Sequence, residues 1–115
     1  MINRLFKTID SKDAKTFLTF LAPSCVFRFG NMAPVTGKHD IEISVNAFFE
    51  SLDSLAHKVS DFWDIPDGII CHGQVSYTRK DGSVLTIPFA NILKGKESNI
   101  TEYLIFADTS RLYEY

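Results

Sequence analysis

The chain has 115 residues, of which 45% are hydrophobic and 23% are charged, so its length and composition are those of one globular domain. Twelve Lys and Arg residues against fourteen Asp and Glu residues give a formal charge of −2, and the absence of a basic run argues against nucleic-acid binding and against binding to an anionic membrane. No segment approaches the roughly 20 apolar residues of a membrane span, and the first residues lack a signal-peptide pattern.

The two cysteines, Cys25 and Cys71, are too few for a disulfide framework or for a four-ligand zinc site. No spacing of His, Cys, Asp and Glu suggests a metal ion either. We therefore expect reduced thiols, a cytoplasmic location, and neither a metal nor a cofactor.

The first half of the sequence predicts helices with one short strand between them. Apolar residues from Ile2 to Ile9 indicate a short helix, and Asp10 with Asp13 resembles an acidic capping box that starts a second helix. Residues 25–29 alternate as a strand, and residues 30–37 form a loop. Apolar residues then recur every three or four positions from 38 to 56, which predicts a long amphipathic helix.

The second half predicts antiparallel strands joined by tight turns. The turn signals are Pro66-Asp67-Gly68 and the Asp81-Gly82 pair. Pro88 indicates that its strand is an edge or contains a bulge. The predicted strands cover residues 57–65, 69–79, 84–94 and 100–107.

Both faces of the predicted sheet carry apolar side chains. One face can pack against the helices, but the chain has too few helices to cover the other. A second copy is the simplest cover, so we expect a homodimer through the outer sheet face. The outer apolar residues are Val84, Ala90, Ile92, Leu104 and Phe106.

The order of elements is accompanied by four local motifs, which are Ile9-Asp10 with Asp13, Leu21-Ala-Pro-Ser-Cys-Val-Phe27, Pro34-Val-Thr-Gly37 and Glu102-Tyr-Leu-Ile-Phe-Ala-Asp108. With these motifs the chain resembles the nuclear transport factor 2-like superfamily, in its SnoaL-like and ketosteroid isomerase-like branch. The resemblance implies a single α+β domain over residues 1–115, in which a cone-shaped, curved antiparallel sheet wraps around the long helix. It also implies a pocket at the open end of the cone.

The same resemblance argues against two activities that are known in the superfamily. The position of the ketosteroid isomerase base corresponds to Phe29, and that of its first oxyanion-binding tyrosine falls near Leu5. Its second oxyanion donor corresponds to Asn91, which can still donate a hydrogen bond. The acid of limonene-epoxide hydrolases corresponds to Ile105, which cannot transfer a proton. Steroid isomerisation and that epoxide chemistry are therefore not expected.

Period-two alternation then selects the side chains that face the pocket, although one bulge would invert part of this assignment. His57, Asp61 and Asn91 are the candidate catalytic residues. His57 and Asp61 are separated by roughly 13 Å along a strand, too far for a direct hydrogen bond. The predicted ligand-binding residues are Phe27, Phe29, Phe49, Trp63, Tyr77, Phe89, Tyr103 and Ile105.

Each candidate also has a purely structural interpretation. His57 can cap the C-terminus of the long helix, and Asp61 can be the polar member of a half-exposed strand. Asn91 can hold a neighbouring strand, and the aromatic residues can be core.

Two functions remain open from the sequence. The first is a cofactor-independent isomerase, cyclase or hydratase acting on a hydrophobic carbonyl compound. The second is a non-catalytic module that binds a small hydrophobic ligand or uses its sheet in assembly.

Overall fold

The helices of this chain lie against the inner face of a curved, six-stranded sheet. Four of the six strands come after the last helix in the sequence. The computed structural model describes residues 1–114. Within that range the elements are α1 (Ile2–Asp10), α2 (Ala14–Leu18), β1 (Leu21–Phe29), β2 (Val35–Thr36), α3 (Lys38–Glu50), β3 (Ser54–Ile65), β4 (Gly68–Thr78), β5 (Val84–Lys96) and β6 (Asn99–Phe106). The predicted α+β class is confirmed. Among residues 1–114, none of the helices has the length and hydropathy of a transmembrane helix.

The strand order in the sheet is β2-β1-β6-β5-β4-β3. Strands β3 to β6 follow one another through short turns and therefore pair antiparallel, as the turn signals predicted. Strand β1 pairs parallel with β6. The expectation of a purely antiparallel sheet is wrong at this pair, because the long connection from β1 to β6 leaves the direction of β1 unconstrained.

Pro88 lies within β5 opposite Gln74 of β4. The pairing of β5 with β6 begins only at Ala90. Pro88 therefore sits where β5 has a partner on one side, but β5 as a whole lies between β4 and β6 and its register with β4 continues through Pro88, so the prediction of an edge strand or a bulge is wrong.

Two helix boundaries differ from the sequence prediction. Asp10 ends α1, and Asp13 is the residue that caps α2 by accepting a hydrogen bond from the Thr16 backbone N–H. Helix α3 ends at Glu50, not near residue 56, and Ser51 follows it as the C-cap. Pairing of β3 with β4 begins at Ser54, so ladder hydrogen bonds replace the helix that the apolar spacing alone favoured.

The core lies between the inner sheet face and the three helices. Aromatic rings form much of it, with the Tyr103 ring 5.4 Å from the rings of both Phe17 and Phe27. The largest fully buried apolar side chains come from every layer and include Leu5, Phe17, Leu21, Ile41, Leu52, Leu93, Ile100, Tyr103 and Leu112.

Strand β3 contains a bulge at Ser60. Val59 pairs with Gly73 and Asp61 pairs with His72, so Ser60 is the extra residue between two consecutive positions of β4. After the bulge, each side chain of β3 points to the face opposite to the one that uninterrupted alternation would give it. Gly73 lies directly opposite, where a Cβ atom would be 2.0 Å from the Lys58 carbonyl oxygen.

Residues 109–114, which we call the strap, follow β6 without forming a helix or strand. Leu112 of the strap is buried in the core. The buried Arg79 donates hydrogen bonds to the backbone carbonyls of Arg111 and Leu112. These contacts hold the strap against the end of the β4–β5 hairpin.

Candidate functional site

A cavity of about 480 Å³ lies between α3 and the inner face of the sheet. Most of its lining is aromatic or aliphatic, as is usual for sites that bind small molecules. Its lining residues are Ile9, Phe17, Phe27, Phe29, Met32, Ala33, Val35, Ile43, Ser44, Val45, Ala47, Phe48, Phe49, Leu55, His57, Val75, Tyr77, Phe89, Asn91, Tyr103, Ile105 and Tyr113.

The structure places most of the predicted site residues in this lining. His57 and Asn91 are there, with Phe27, Phe29, Phe49, Tyr77, Phe89, Tyr103 and Ile105. The alternation of β1, β4, β5 and β6 was therefore interpreted correctly. The roles of these residues as ligand contacts stay predictions.

Asp61 and Trp63 are not in the cavity, and their predicted placement is wrong. The bulge at Ser60 turns both onto the outer face, where the side chain of Asp61 is 64% exposed and Trp63 is 52% exposed. There an Asp61 oxygen lies 3.4 Å from His72 Nε2, and the Trp63 ring stacks on the His72 ring. Asp61 has no access to a ligand in the cavity.

His57 is positioned by Asp10, a residue 47 positions away in the sequence. The Asp10 carboxylate accepts a hydrogen bond from His57 Nδ1 at 2.6 Å and another from the His57 backbone N–H at 2.9 Å. The structural alternative for His57 is wrong, since it lies within β3 and not at the end of α3. Asp61 was expected to lie too far along the strand to bond His57 directly, and the direct partner of His57 is Asp10.

The two contacts with Asp10 leave one ring nitrogen for chemistry. An ionised carboxylate only accepts hydrogen bonds, so Nδ1 carries the proton and Nε2 is available to a ligand. The ring stacks on Phe6 at 4.6 Å and meets Phe89 edge-on at 5.2 Å. Hydrogen bonds and packing together fix the orientation of the imidazole.

His57 also borders a second, more polar cleft of about 380 Å³. Asp10 lines this cleft, and it is not among the residues that line the main cavity. The Asp10–His57 pair therefore connects the apolar cavity with a polar surface.

Two buried polar atoms in the cavity lining lack a hydrogen-bond partner among the described residues. They are Oδ1 of Asn91 and the hydroxyl of Tyr103. Asn91 and Tyr103 come from the neighbouring strands β5 and β6. Because an unpaired buried polar group is destabilising, a group of this kind in a cavity indicates a partner supplied by a ligand.

Burial also sets the protonation of the cavity's weak acids. Loss of solvation raises the pKa of the Tyr103 and Tyr77 phenols well above their ordinary value, so both remain neutral hydrogen-bond donors. In the core, outside the cavity lining, the same effect raises the pKa of the Cys25 and Cys71 thiols to about 11. Neither thiol is a nucleophile near neutral pH.

We expect Tyr103→Phe to raise the free energy of unfolding by about 1 kcal/mol in the absence of ligand. The substitution removes an unpaired buried hydroxyl and keeps the ring contacts with Phe17 and Phe27. Urea denaturation followed by circular dichroism measures the change. A loss of stability would show that the hydroxyl is already satisfied within the protein.

Within residues 1–114, no group of three or more His, Cys, Asp or Glu side chains is arranged to hold a metal ion. Of the described side chains that line the cavity, His57 carries the one imidazole, the group that serves most often as a general acid or base in enzymes. The site thus combines one positioned imidazole, two unpaired polar groups and an apolar wall.

Comparison with known protein families identifies this architecture. The model of the SnoaL-like domain matches residues 2–103. This chain belongs to the SnoaL-like domain family. A search of curated proteins found no match.

Solved structures with the same fold resemble this SnoaL-like domain over nearly its whole length. A nuclear transport factor 2-like protein of unknown function from Burkholderia pseudomallei K96243 has a TM-score of 0.87 at 12% identity and covers 98% of this chain and 92% of its own. TerC, co-crystallised with polyporic acid, has a TM-score of 0.83 at 16% identity, with coverage of 98% and 92%.

A third structure has a ketosteroid isomerase-like fold and comes from Catenulispora acidiphila DSM 44928, in complex with trimethylamine. Its TM-score is 0.82 at 12% identity, and it covers 91% of this chain and 82% of its own. At these identities the likeness establishes the shared fold, and the predicted resemblance is confirmed.

Sequence reasoning missed two residues of the candidate site in this SnoaL-like domain. Asp10 was interpreted as the cap of the second helix, but the cap is Asp13. Had Asp13 been chosen as the cap, Asp10 would have been left without a structural role and open to another one. Tyr113 of the strap lines the cavity without any periodic pattern around it. Neither residue carries a local signal, because each acts through a contact between distant parts of the chain.

Proposed function

We propose that this SnoaL-like domain binds a small, largely apolar carbonyl compound and catalyses proton transfer on it without a cofactor. The observation that carries the proposal is the Asp10–His57 pair beside an apolar cavity. An oriented imidazole is the commonest general base in enzymes. His57 and Asp61 were candidates for a base and an acid acting apart from each other, and in this proposal Asp10, which contacts His57 directly, takes the place of Asp61.

The proposed step begins at a carbon next to the substrate's carbonyl group. Nε2 of His57 takes a proton from this carbon, and the electrons of the broken C–H bond move onto the carbonyl oxygen. The neutral hydroxyl of Tyr103 and Nδ2 of Asn91 donate hydrogen bonds to the developing negative charge, while the unpaired Oδ1 of Asn91 is an acceptor for a donor group of the substrate. The imidazolium is stabilised by Asp10, and it returns its proton to the same or another atom of the substrate.

The experiment uses 2-tetralone, a bicyclic ketone with acidic C–H bonds beside its carbonyl. Proton NMR in deuterium oxide follows replacement of these protons by deuterium, with and without the protein. We expect the protein to accelerate exchange over buffer by about 100-fold or more. Binding is measured separately from chemical-shift changes of the protein amides.

Binding of 2-tetralone without faster exchange would contradict the catalytic proposal. That result would support the second function, a non-catalytic module for small apolar ligands. Absence of binding would contradict both.

We further propose that two copies associate through the outer sheet face. The strand register aligns a row of apolar side chains there, and Trp63 and Phe106 are more than half exposed on it. A twofold arrangement of two such faces would bury both of these side chains. The apolar residues of the face include Trp63, Ile70, Ala90, Ile92, Leu104 and Phe106.

We expect analytical ultracentrifugation to give twice the chain mass of 13.0 kDa for the wild type and the monomer mass for Phe106→Arg. An arginine at this position places two like charges in the proposed interface. Met32→Arg is the matched control, since Met32 is also more than half exposed but lies at the cavity. A monomeric wild type, or dissociation of the control alone, would contradict the proposed interface.

The proposal includes the cytoplasmic location expected from the sequence. It is supported by Cys25 and Cys71, which are free and buried thiols.

A further inference from the structure

Tyr113 lies beyond a firmly anchored part of the strap. Leu112 is 1% exposed, and its carbonyl accepts a 2.9 Å hydrogen bond from Nε of the buried Arg79. The carbonyl of Arg111 accepts a second bond of 2.9 Å from the same guanidinium group. Hydrogen bonds from a charged, buried donor are among the stronger ones in proteins, so residues 111 and 112 form a fixed pivot.

The Tyr113 side chain itself is held more weakly. It is 56% exposed, and its hydroxyl lies 2.7 Å from the hydroxyl of Ser51. The Ser51 hydroxyl is 2.6 Å from the Phe48 carbonyl, which can only accept, so the proton of Ser51 is used there. The Tyr113 hydroxyl is therefore the donor to Ser51, and this bond joins the strap to the end of α3.

The position of Tyr113 places it at the cavity entrance. It lines the cavity together with Met32 and Ile43, and all three are more than half exposed. Residues that are both exposed and part of the lining mark the mouth. Tyr113 is the member of this group whose position depends on a solvent-accessible hydrogen bond.

We propose that Tyr113 is the gate of the cavity and sets the rates at which ligands enter and leave. Rotation of its side chain breaks the bond with Ser51 and opens the mouth, while Arg79 and Leu112 keep the strap in place. The inference rests on ligand binding by the cavity, as proposed above, and is independent of the proton-transfer step.

A gate has a kinetic signature that a binding contact lacks. If ligands pass only through the open form, weakening the closed form raises the association and dissociation rates by the same factor. The Kd then stays unchanged. Loss of a direct ligand contact raises the dissociation rate alone and raises the Kd with it.

The test measures the fluorescence of 1-aminoanthracene by stopped flow as it binds to and leaves the full chain. Tyr113→Phe keeps the ring and removes the bond with Ser51, and we expect both rates to rise about three- to tenfold with the Kd within twofold. Ser51→Ala removes the other partner and is expected to give the same change. The double variant should add little to either single variant.

Tyr103→Phe makes the same chemical change inside the cavity and serves for comparison. We expect it to alter the dissociation rate alone, because Tyr103 is fully buried and the three residues of the mouth are more than half exposed. Unchanged rates in Tyr113→Phe, or a change confined to dissociation, would overturn the gate and leave the cavity's binding role intact. Failure of the wild type and all variants to bind the probe would overturn both proposals.

Discussion

Replacement of His57 by glutamine is expected to lower the protein-catalysed exchange of 2-tetralone by about 100- to 10,000-fold. Glutamine retains a hydrogen-bonding side chain of similar length but has no group that accepts and returns a proton near neutral pH. Binding of 2-tetralone, followed by NMR titration, should change little, because the aromatic wall of the cavity is unaltered. The loss is therefore expected in the exchange rate and not in the Kd.

His72→Gln is the matched control for this experiment. His72 is the same residue type on the same sheet, but it lies on the outer face beside Asp61 and Trp63. We expect its substitution to leave exchange unchanged. Asp10→Asn should give a partial loss, since it removes the charge that orients and stabilises the imidazole while a side-chain oxygen remains.

Equal activity in His57→Gln and the wild type would contradict the proposed base. An effect of His72→Gln as large as that of His57→Gln would place the chemistry on the outer face. In that case the assignment of the cavity as the reaction site would be wrong.

Gly73→Ala is expected to lower the free energy of unfolding by about 3 kcal/mol or more. The backbone of β3 passes so close to Gly73 that a Cβ atom would be 2.0 Å from the Lys58 carbonyl oxygen and 2.9 Å from the Val59 Cα. Both atoms belong to the backbone of a paired strand, so neither can move without breaking ladder hydrogen bonds. Urea denaturation measures the loss.

Gly82→Ala provides the comparison, because nothing lies within 4 Å of the Cβ position there. Gly82 has a φ of 88°, so alanine costs about 1–2 kcal/mol from backbone strain alone. A smaller loss for Gly73→Ala than for Gly82→Ala would show that the strands can separate at the bulge. The bulge would then not depend on glycine.

Residue patterns predicted most of this fold, because turn residues and alternation act over short distances. The Asp81-Gly82 turn and the inward positions of Tyr77, Phe89 and Tyr103 follow directly from such local rules. The end of α3 did not follow, since Leu52 and Leu55 continue the helical spacing although Leu55 is already in β3. There, pairing with β4 outweighs the local preference.

Only part of the candidate site could be predicted from the sequence, because residue patterns report local structure and not contacts between distant parts of the chain. Asn91 and the aromatic lining follow from alternation within regular strands. The partner of His57 comes from α1, and no rule of spacing connects Asp10 with a residue in β3. The placement of Asp61 failed because a bulge at Ser60 depends on the opposite strand, where only glycine allows the close approach.

Because of the bulge at Ser60, the side chains that line the cavity depend on whether the number of residues in β3 before them is odd or even. In a β-strand, odd and even positions point to opposite faces of the sheet. One inserted residue therefore turns every later side chain of the strand to the opposite face. Here it keeps Asp61 off the face that lines the cavity, whereas His57, which precedes the bulge, stays in the lining. Removal of one residue from β3 would turn every later side chain of the strand to the opposite face, so the polar groups that line a cavity of this architecture can change through strand length alone.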